Sequence, residues 1–341
     1  LGPLVRYENL ALSLPAILYL VLRKQFRLAI LSSGSILVLI GGFSFYLHSL
    51  GLAWLPASVM LKSSVAGSQD LVAGVLFNFV HNIFMVREGV LTIVGFLLFL
   101  YGALFYFSNT EDKWISAWGA GAVALHLLAG SFGWLFRYEI YIWAVIVFGN
   151  AYIYRRHLIQ FLTNNSMLKV VTFISISVLL LCANYVSTVF TTPLASSNIY
   201  KQQYQMRRFV LDYLHQPVGV NDIGWISYQN PNYVLDFYGL ASFGSPEFSQ
   251  RKTDSQWMET LAQDHDVRLA MIYQDAFLNQ IPADWILLGQ LYLRDLRIAP
   301  AESIVTFYAT NPVYAPQLRA LIEKFIPTLP PGADFVFLQN N

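Results

Sequence analysis

Six long apolar runs fill the first 190 residues of this 341-residue chain, and a stretch with the composition of a water-soluble domain follows. A helix needs roughly 20 apolar residues to cross a bilayer. We therefore expect an α-helical polytopic membrane domain over residues 1–190, followed by a C-terminal extracytoplasmic α/β domain over residues 191–341. The predicted spans are residues 4–22, 28–47, 90–107, 114–130, 137–154 and 168–190.

The overall composition agrees with a membrane protein. Hydrophobic residues make up 56% of the chain and charged residues 12%, against about 25% charged residues in ordinary soluble domains. The net charge of +1 gives no support for nucleic acid as a partner. The single cysteine, Cys182, excludes a disulfide within the chain and a cysteine-based metal site. No cofactor is evident, and a divalent metal stays an alternative for which this sequence gives no support.

The apolar segment 71–86 is shorter than the predicted spans and carries three polar residues. Asn78, His81 and Asn82 are spaced i, i+3, i+4, so a helix would place them on one face. A polar stripe exposed to lipid would be costly. The spacing therefore favours a re-entrant or interfacial helix, beside the six spans, whose polar face meets protein or water. A seventh span is the alternative.

Three basic loops indicate the orientation. Loops 23–27 and 155–169 carry lysine and arginine, and loop 108–113 carries Lys113 beside Glu111 and Asp112. Lysine and arginine are enriched in loops on the cytoplasmic side. Six spans place all three loops in the cytoplasm and everything after residue 190 outside it. A seventh span at 71–86 would put the first loop on the opposite side from the other two.

The C-terminal stretch alternates between helix and strand patterns, which favours an α/β sandwich. The segments 221–224 and 236–239 are interpreted as turns at strand ends, because Asp and Asn bond their own backbone there. Within this half we find no Walker loop, GxGxxG, HExxH or GxSxG motif. Helices are predicted at 198–215, 253–265 and 315–326, and strands at 218–228, 233–242, 267–273, 303–310 and 333–339.

The tripeptide Arg-Tyr-Glu occurs twice, at Arg6 to Glu8 and at Arg137 to Glu139, each at the start of a predicted span. Residues i and i+2 of a helix do not face each other, so we expect neither Arg to pair with its own Glu. The planar fork of arginine matches phosphate oxygens. Anchoring at the membrane interface is the alternative role.

Other polar residues near the predicted outer face are weaker candidates. Lys62, in the segment WLPASVMLKSS, is suited either to bind a phosphate or to anchor the interface. For His81 a hydrogen-bonding structural role is favoured over ligand binding. His126, inside a predicted span, is expected to pack or to bond a backbone carbonyl.

Several of these motifs carry a family resemblance. The segment LVRYENLAL opening a span, the basic loop LRKQFR, a second span and then WLPASVMLKS resemble a run in polytopic bacterial GT-C-type glycosyltransferases. That broad group includes the actinobacterial terminal arabinofuranosyltransferases. The segments VGVNDIGWISY and YVLDFYGLAS look like the extracytoplasmic C-terminal domain of such proteins. Asn9 and Ala57 depart from the family pattern, which more commonly has Gly and Asn there.

The resemblance implies an enzyme of the bacterial inner (plasma) membrane that moves a sugar from a polyprenyl-phosphate donor to a cell-envelope glycan or lipid acceptor. Arg6, Glu8 and Lys62 match the family pattern. We add His81, Arg137 and Glu139 as substrate-binding candidates because of their predicted depth and side. The family's catalytic Asp lies in a first outer loop, and we expect this chain to begin after that loop.

Two other functions compete with the transferase. A non-catalytic membrane scaffold could use its extracytoplasmic domain to recruit a partner. A transporter could use the twin motifs as a coupling network, but transporter sites usually lie at the bilayer midplane. The charges here cluster at the predicted outer interface, which disfavours transport.

Overall fold

A computed structural model of the protein describes residues 2–63, 65, 70–108, 110–133, 135–241 and 256–338. The chain forms two compact units, Leu1–Thr188 and Val189–Asn341, here called unit 1 and unit 2. The described part of unit 1 is helical, whereas unit 2 contains a mixed β-sheet. The chain thus combines apolar helices with a C-terminal α/β unit.

The helices of unit 1 follow the apolar runs of the sequence. A 3₁₀ turn at Tyr7–Asn9 precedes the second helix, and a π-helical turn at Gly102–Tyr106 extends the sixth. The helices are α1 (Gly2–Val5), α2 (Leu10–Leu22), α3 (Phe26–Ser49), α4 (Ala57–Lys62), α5 (Leu71–Phe84), α6 (Arg87–Tyr101), α7 (Thr110–Ala129), α8 (Ile140–Ile153), α9 (Arg155–Asn164) and α10 (Met167–Lys201).

Several of these helices could span a membrane. Within the described residues, three helical stretches are long and apolar enough by length and composition, namely Phe26–Ser49, Glu88–Tyr106 and Met167–Leu214. Shorter apolar helices occur at Tyr7–Leu22, Leu71–Phe84 and Ile140–Ile153. The count of six spans and their orientation stay predictions.

Glycine residues let three helices of unit 1 pack around one phenylalanine. Phe99 of α6 is completely buried. A Cβ added at Gly119 of α7 would lie 2.6 Å from the Phe99 ring, and one at Gly149 of α8 would lie 2.7 Å from it. Small residues at helix interfaces permit this close approach of backbones. The core of unit 1 therefore depends on the absence of side chains at these positions.

Helix α5 packs through its two asparagines. Asn78 and Asn82 are buried, and both side-chain amides donate to the carbonyl oxygen of Gly130, at 2.9 and 3.0 Å. Asn82 also donates to the carbonyl oxygen of Leu127 at 3.0 Å. The last carbonyls of a helix have no partner within it, so these amides complete the end of α7. His81 is exposed, so the predicted polar face meets protein through the two asparagines alone.

Unit 2 is built on a six-stranded sheet with strand order β2-β1-β3-β5-β4-β6. The first strand runs parallel to both of its neighbours, and the remaining pairs are antiparallel. The strands are β1 (Val218–Val220), β2 (Val234–Asp236), β3 (Leu269–Ile272), β4 (Ile286–Leu293), β5 (Ile304–Ala309) and β6 (Ala333–Phe337). The helices are α11 (Gln203–Phe209), α12 (Gly224–Ser227), α13 (Trp257–Asp264) and α14 (Ala315–Phe325).

The predicted elements of unit 2 need three corrections. The strand predicted at 218–228 ends at Val220, and α12 occupies its second half. The single helix predicted at 198–215 is divided into the end of α10, then α11, then a π-helical turn. Strand β4 was not predicted, although it pairs with both β5 and β6. Residues 242–255, which include the start of the helix predicted at 253–265, lie outside the described residues.

Candidate functional site

A cavity of about 860 Å³ in unit 1 is lined by the whole of the first Arg-Tyr-Glu motif and by Arg137 and Tyr138 of the second. Three of the described lining side chains are charged: Arg6, Glu8 and Arg137. Two cations and one carboxylate thus share a cavity whose remaining wall is largely apolar. The apolar wall includes Leu10, Leu14, Phe43, Val59, Leu71 and Leu125.

The first motif is not part of a continuous helix. Arg6 has an extended backbone, with φ −152° and ψ 129°, and a 3₁₀ turn follows it. This geometry lets Arg6 Nη2 contact Glu8 Oε1 at 3.2 Å. The expectation that Arg6 and Glu8 cannot pair was therefore wrong, because it assumed helical geometry at residues i and i+2.

The two arginines meet around one tyrosine. Arg6 Nη1 donates a hydrogen bond to the carbonyl oxygen of Arg137 at 2.8 Å. The guanidinium carbons of Arg6 and Arg137 lie 4.9 and 5.2 Å from the centre of the Tyr138 ring. The negative face of an aromatic ring attracts such cations. The arrangement concentrates positive charge at one part of the cavity wall.

The second motif is divided between the cavity and the interior. Arg137 is exposed, whereas Glu139 is completely buried and is not among the lining residues given above. Glu139 Oε2 accepts a hydrogen bond from the backbone N–H of Gly133 at 3.0 Å. The turn before the motif holds Leu135 and Phe136 at φ 61° and 58°, a left-handed conformation that is costly for such side chains.

The remaining predicted residues stand apart from the charged cluster. His81 is exposed on α5 and is not one of the residues that line the cavity. Lys62 ends α4, and its side chain lies outside the described part of the structure. Its neighbours Pro56, Val59 and Ser63 do line the cavity. The structure therefore brings the segment around Lys62 to the same cavity as the twin motifs.

Sequence reasoning missed one pair in the cavity wall. His126 Nδ1 lies 2.7 Å from the hydroxyl oxygen of Tyr141, and that hydroxyl donates to the carbonyl oxygen of Glu8 at 3.1 Å. His126 is buried and packs edge-to-face on Phe132, as one of its two expected roles required, and its ring nitrogen bonds a side chain instead of a backbone carbonyl. Tyr141 lies in the first turn of α8 and His126 in the last turn of α7, so no spacing within one element could have paired them.

A second polar cluster lies in unit 2, where the parallel strands end. The side chain of Asn221, after β1, accepts a hydrogen bond from the backbone N–H of Tyr273, after β3, at 2.8 Å. Gln203 Nε2 lies 3.0 Å from the Tyr273 hydroxyl and 3.3 Å from Asp222 Oδ2. Burial raises the pKa of Tyr273. The cluster is internally bonded, which fits a structural network.

The turn predicted at 236–239 is present. The two carboxylate oxygens of Asp236 accept hydrogen bonds from the backbone N–H groups of Tyr238 and Ala241, at 3.0 and 2.8 Å. Gly239 follows with φ 89°. Burial raises the pKa of Asp236, and the backbone bonds oppose that rise. Within the described residues, no group of three or more His, Cys, Asp or Glu side chains could hold a metal ion.

The comparisons with known proteins concern unit 2 alone. A family model described as a domain of unknown function (DUF8728) matches residues 197–308. No curated protein and no solved structure gives a significant match to the chain. The matched range contains the carboxyl ends of β1, β2 and β3 and none of the residues that line the cavity of unit 1.

Proposed function

We propose that this protein is a multi-pass membrane glycosyltransferase of the GT-C type. It moves a sugar from a polyprenyl-phosphate donor to a cell-envelope glycan or lipid acceptor on the extracytoplasmic face of a bacterial plasma membrane. The cavity of unit 1 binds the donor, with the phosphate at the arginines and the polyprenyl chain along the apolar wall.

The observation that carries the proposal is the composition of the cavity wall. Its charged lining residues are two arginines and one glutamate, and its other walls are mostly apolar. Ligand pockets of a few hundred to about 1,000 Å³ usually combine such apolar walls with a few placed polar groups. Arginine forks suit phosphate oxygens, and an apolar wall suits a hydrocarbon chain. An amphiphile with an anionic headgroup matches both parts.

The surface of unit 1 supports a lipid environment. Ile30, Leu37 and Val38 of α3 are between 70% and 73% exposed. Soluble monomers rarely expose large contiguous apolar patches, and such patches mark protein or membrane contacts. Together with the apolar helices long enough to cross a bilayer, this exposure favours lipid as the covering material.

The proposed donor site predicts a specific loss when an arginine becomes lysine. Lysine keeps the charge but loses the bidentate fork. A charged hydrogen bond contributes about 1.5–3 kcal/mol, so Arg6→Lys and Arg137→Lys should each weaken phosphate binding by about tenfold or more. The measurement is equilibrium binding of radiolabelled farnesyl phosphate and of farnesol to the protein in zwitterionic nanodiscs.

Two controls make this binding test decisive. Arg27→Lys, at an exposed position in the first turn of α3 and not among the cavity-lining residues, should leave both affinities unchanged. Farnesol should bind the arginine variants as it binds the parent protein, because it lacks the phosphate. If both cavity variants bind farnesyl phosphate normally, the arginines are interface anchors and the scaffold function is favoured. A transferase also requires sugar transfer, and that transfer should fall with donor binding.

The proposed orientation predicts opposite labelling of two positions. In a Cys182→Ser background, a cysteine replacing Gln160 on α9 should be protected from an impermeant maleimide in spheroplasts. A cysteine replacing Val313 in unit 2 should be labelled. Both parent residues are exposed, so burial does not explain a difference. Permeabilised cells should label both, and reversed labelling in intact spheroplasts would place the arginine cavity on the cytoplasmic side.

A further inference from the structure

The pair formed by His126 and Tyr141 is joined to the arginines through one residue. The carbonyl oxygen of Glu8 accepts the hydrogen bond of the Tyr141 hydroxyl, while the carboxylate of Glu8 contacts Arg6 Nη2. Glu8 lies in the 3₁₀ turn between Arg6 and α2. Tyr141 of α8 therefore bonds the backbone of that turn at Glu8, the same residue whose carboxylate contacts the guanidinium of Arg6.

Hydrogen-bond accounting assigns the direction of each bond. A tyrosine hydroxyl carries one hydrogen atom, and neutral histidine carries one N–H. Because the Tyr141 hydroxyl donates to Glu8, its oxygen is the acceptor toward His126. His126 must then carry its hydrogen on Nδ1, and the 2.7 Å contact is an N–H···O bond. All three groups are paired in this arrangement.

The other ring nitrogen of His126 supports the same tautomer. Nε2 is buried, and no hydrogen-bond partner for it occurs among the described residues. A hydrogen on Nε2 would place an unpaired donor in the interior. Nδ1 would then be an acceptor, so the Tyr141 hydroxyl would donate to His126 and lose its hydrogen bond to Glu8. Both changes cost free energy, since an unpaired buried polar group loses its hydration without compensation. Histidine with hydrogen on Nδ1 keeps the bond from Tyr141 to Glu8 and leaves Nε2 as an acceptor, not a donor, without a partner among the described residues.

We infer that His126 and Tyr141 are positioning residues for the phosphate-binding arginine of the cavity. His126 orients Tyr141, Tyr141 holds the Glu8 turn, and Glu8 holds the Arg6 fork beside Tyr138. The ligand is the anionic headgroup of a phosphate-bearing amphiphile, so the inference rests on the proposed function. Neither residue needs to touch the phosphate for its loss to weaken phosphate binding.

Comparing the affinities for farnesyl phosphate and farnesol distinguishes a positioning role from a general disruption of the cavity. Tyr141→Phe removes only the hydroxyl and should weaken farnesyl phosphate binding about three- to tenfold, the range of one neutral hydrogen bond. Farnesol binding should not change. His126→Leu should likewise lower the affinity for farnesyl phosphate relative to that for farnesol. His126→Asn should restore it, because the asparagine amide can supply an N–H donor near the position of Nδ1.

A double variant tests whether Tyr141 acts through Arg6. In an Arg6→Lys background, Tyr141→Phe should cause little further loss, because coupled residues give non-additive effects. Additive losses, or an equal loss for farnesol and farnesyl phosphate, would overturn the positioning role. If the parent protein itself shows no preference for the phosphate, the proposed function fails first. If that preference depends on Arg6 but not on Tyr141, only this inference fails.

Discussion

Replacing Gly89 by alanine is expected to destabilise unit 1 by about 3 kcal/mol, at the upper end of the usual cost of overpacking. Gly89 lies in the first turn of α6, against the end of α5. An added Cβ would lie 1.6 Å from the carbonyl oxygen of Asn82 and 2.8 Å from its carbonyl carbon. Both are backbone atoms, so no change of side-chain rotamer relieves the overlap. The two helices would have to separate.

The matched control for this substitution is Gly41→Ala in α3. Beyond the neighbouring backbone of its own helix, no atom lies within 4 Å of a Cβ built at Gly41. Alanine is favoured over glycine inside a helix by roughly 0.5–1 kcal/mol. The control should therefore be as stable as the parent or slightly more stable. The midpoint of thermal unfolding in a mild detergent, measured as the temperature at which half of the monodisperse protein is lost, compares the variants. Equal midpoints for both would show that α5 and α6 do not pack as described.

The Gly89→Ala substitution should also weaken ligand binding in the cavity. Asn82, whose carbonyl is displaced, supports Gly130, and Gly130 lines the cavity. Helix α5 itself contributes Leu71 to the apolar wall. We therefore expect farnesol and farnesyl phosphate binding to fall together in this variant, in contrast to the selective loss expected for the arginine variants.

Phe209→Ala should cost unit 2 about 3–5 kcal/mol, as for other fully buried aromatic residues. Phe209 of α11 is completely buried against the sheet and α14. Its ring centre lies 5.9 Å from that of Phe307 on β5 and 5.2 Å from that of Phe325 on α14. Alanine would remove these aromatic contacts and leave a cavity between a helix and the sheet.

Hydrogen exchange read by mass spectrometry on the whole chain should localise this loss. Amides of β3, β4 and β5 should exchange faster in Phe209→Ala than in the parent protein. Leu296→Ala is the control, because Leu296 is exposed and surface substitutions usually change stability by less than about 0.5 kcal/mol. Exchange in Phe209→Ala no faster than in this control would contradict the position assigned to Phe209.

The residues around the cavity illustrate how much of a site can be predicted. The repeated Arg-Tyr-Glu pattern singled out Arg6, Glu8 and Arg137, and all three line one cavity. Glu139 belongs to the same pattern but is buried away from the lining residues. The sequence also does not show that His126 and Tyr141 are partners, because they meet only when α7 and α8 pack together.

The amino-acid sequence by itself determined the helical character of unit 1 and the mixture of helices and strands in unit 2, because both follow from the periodicity and length of apolar segments. It also selected Asn78, His81 and Asn82 as a stripe that should face protein or water, and of these the two asparagines are buried and His81 is exposed. It did not predict β4 or α12. The tertiary structure decided which groups the polar side chains contact and which backbone conformation Arg6 adopts. Backbone carbonyls at the end of α7 became the partners of the two asparagines, and the extended conformation of Arg6 allowed its pairing with Glu8. These outcomes depend on contacts between distant segments, whereas hydrophobic periodicity depends only on neighbours along the chain.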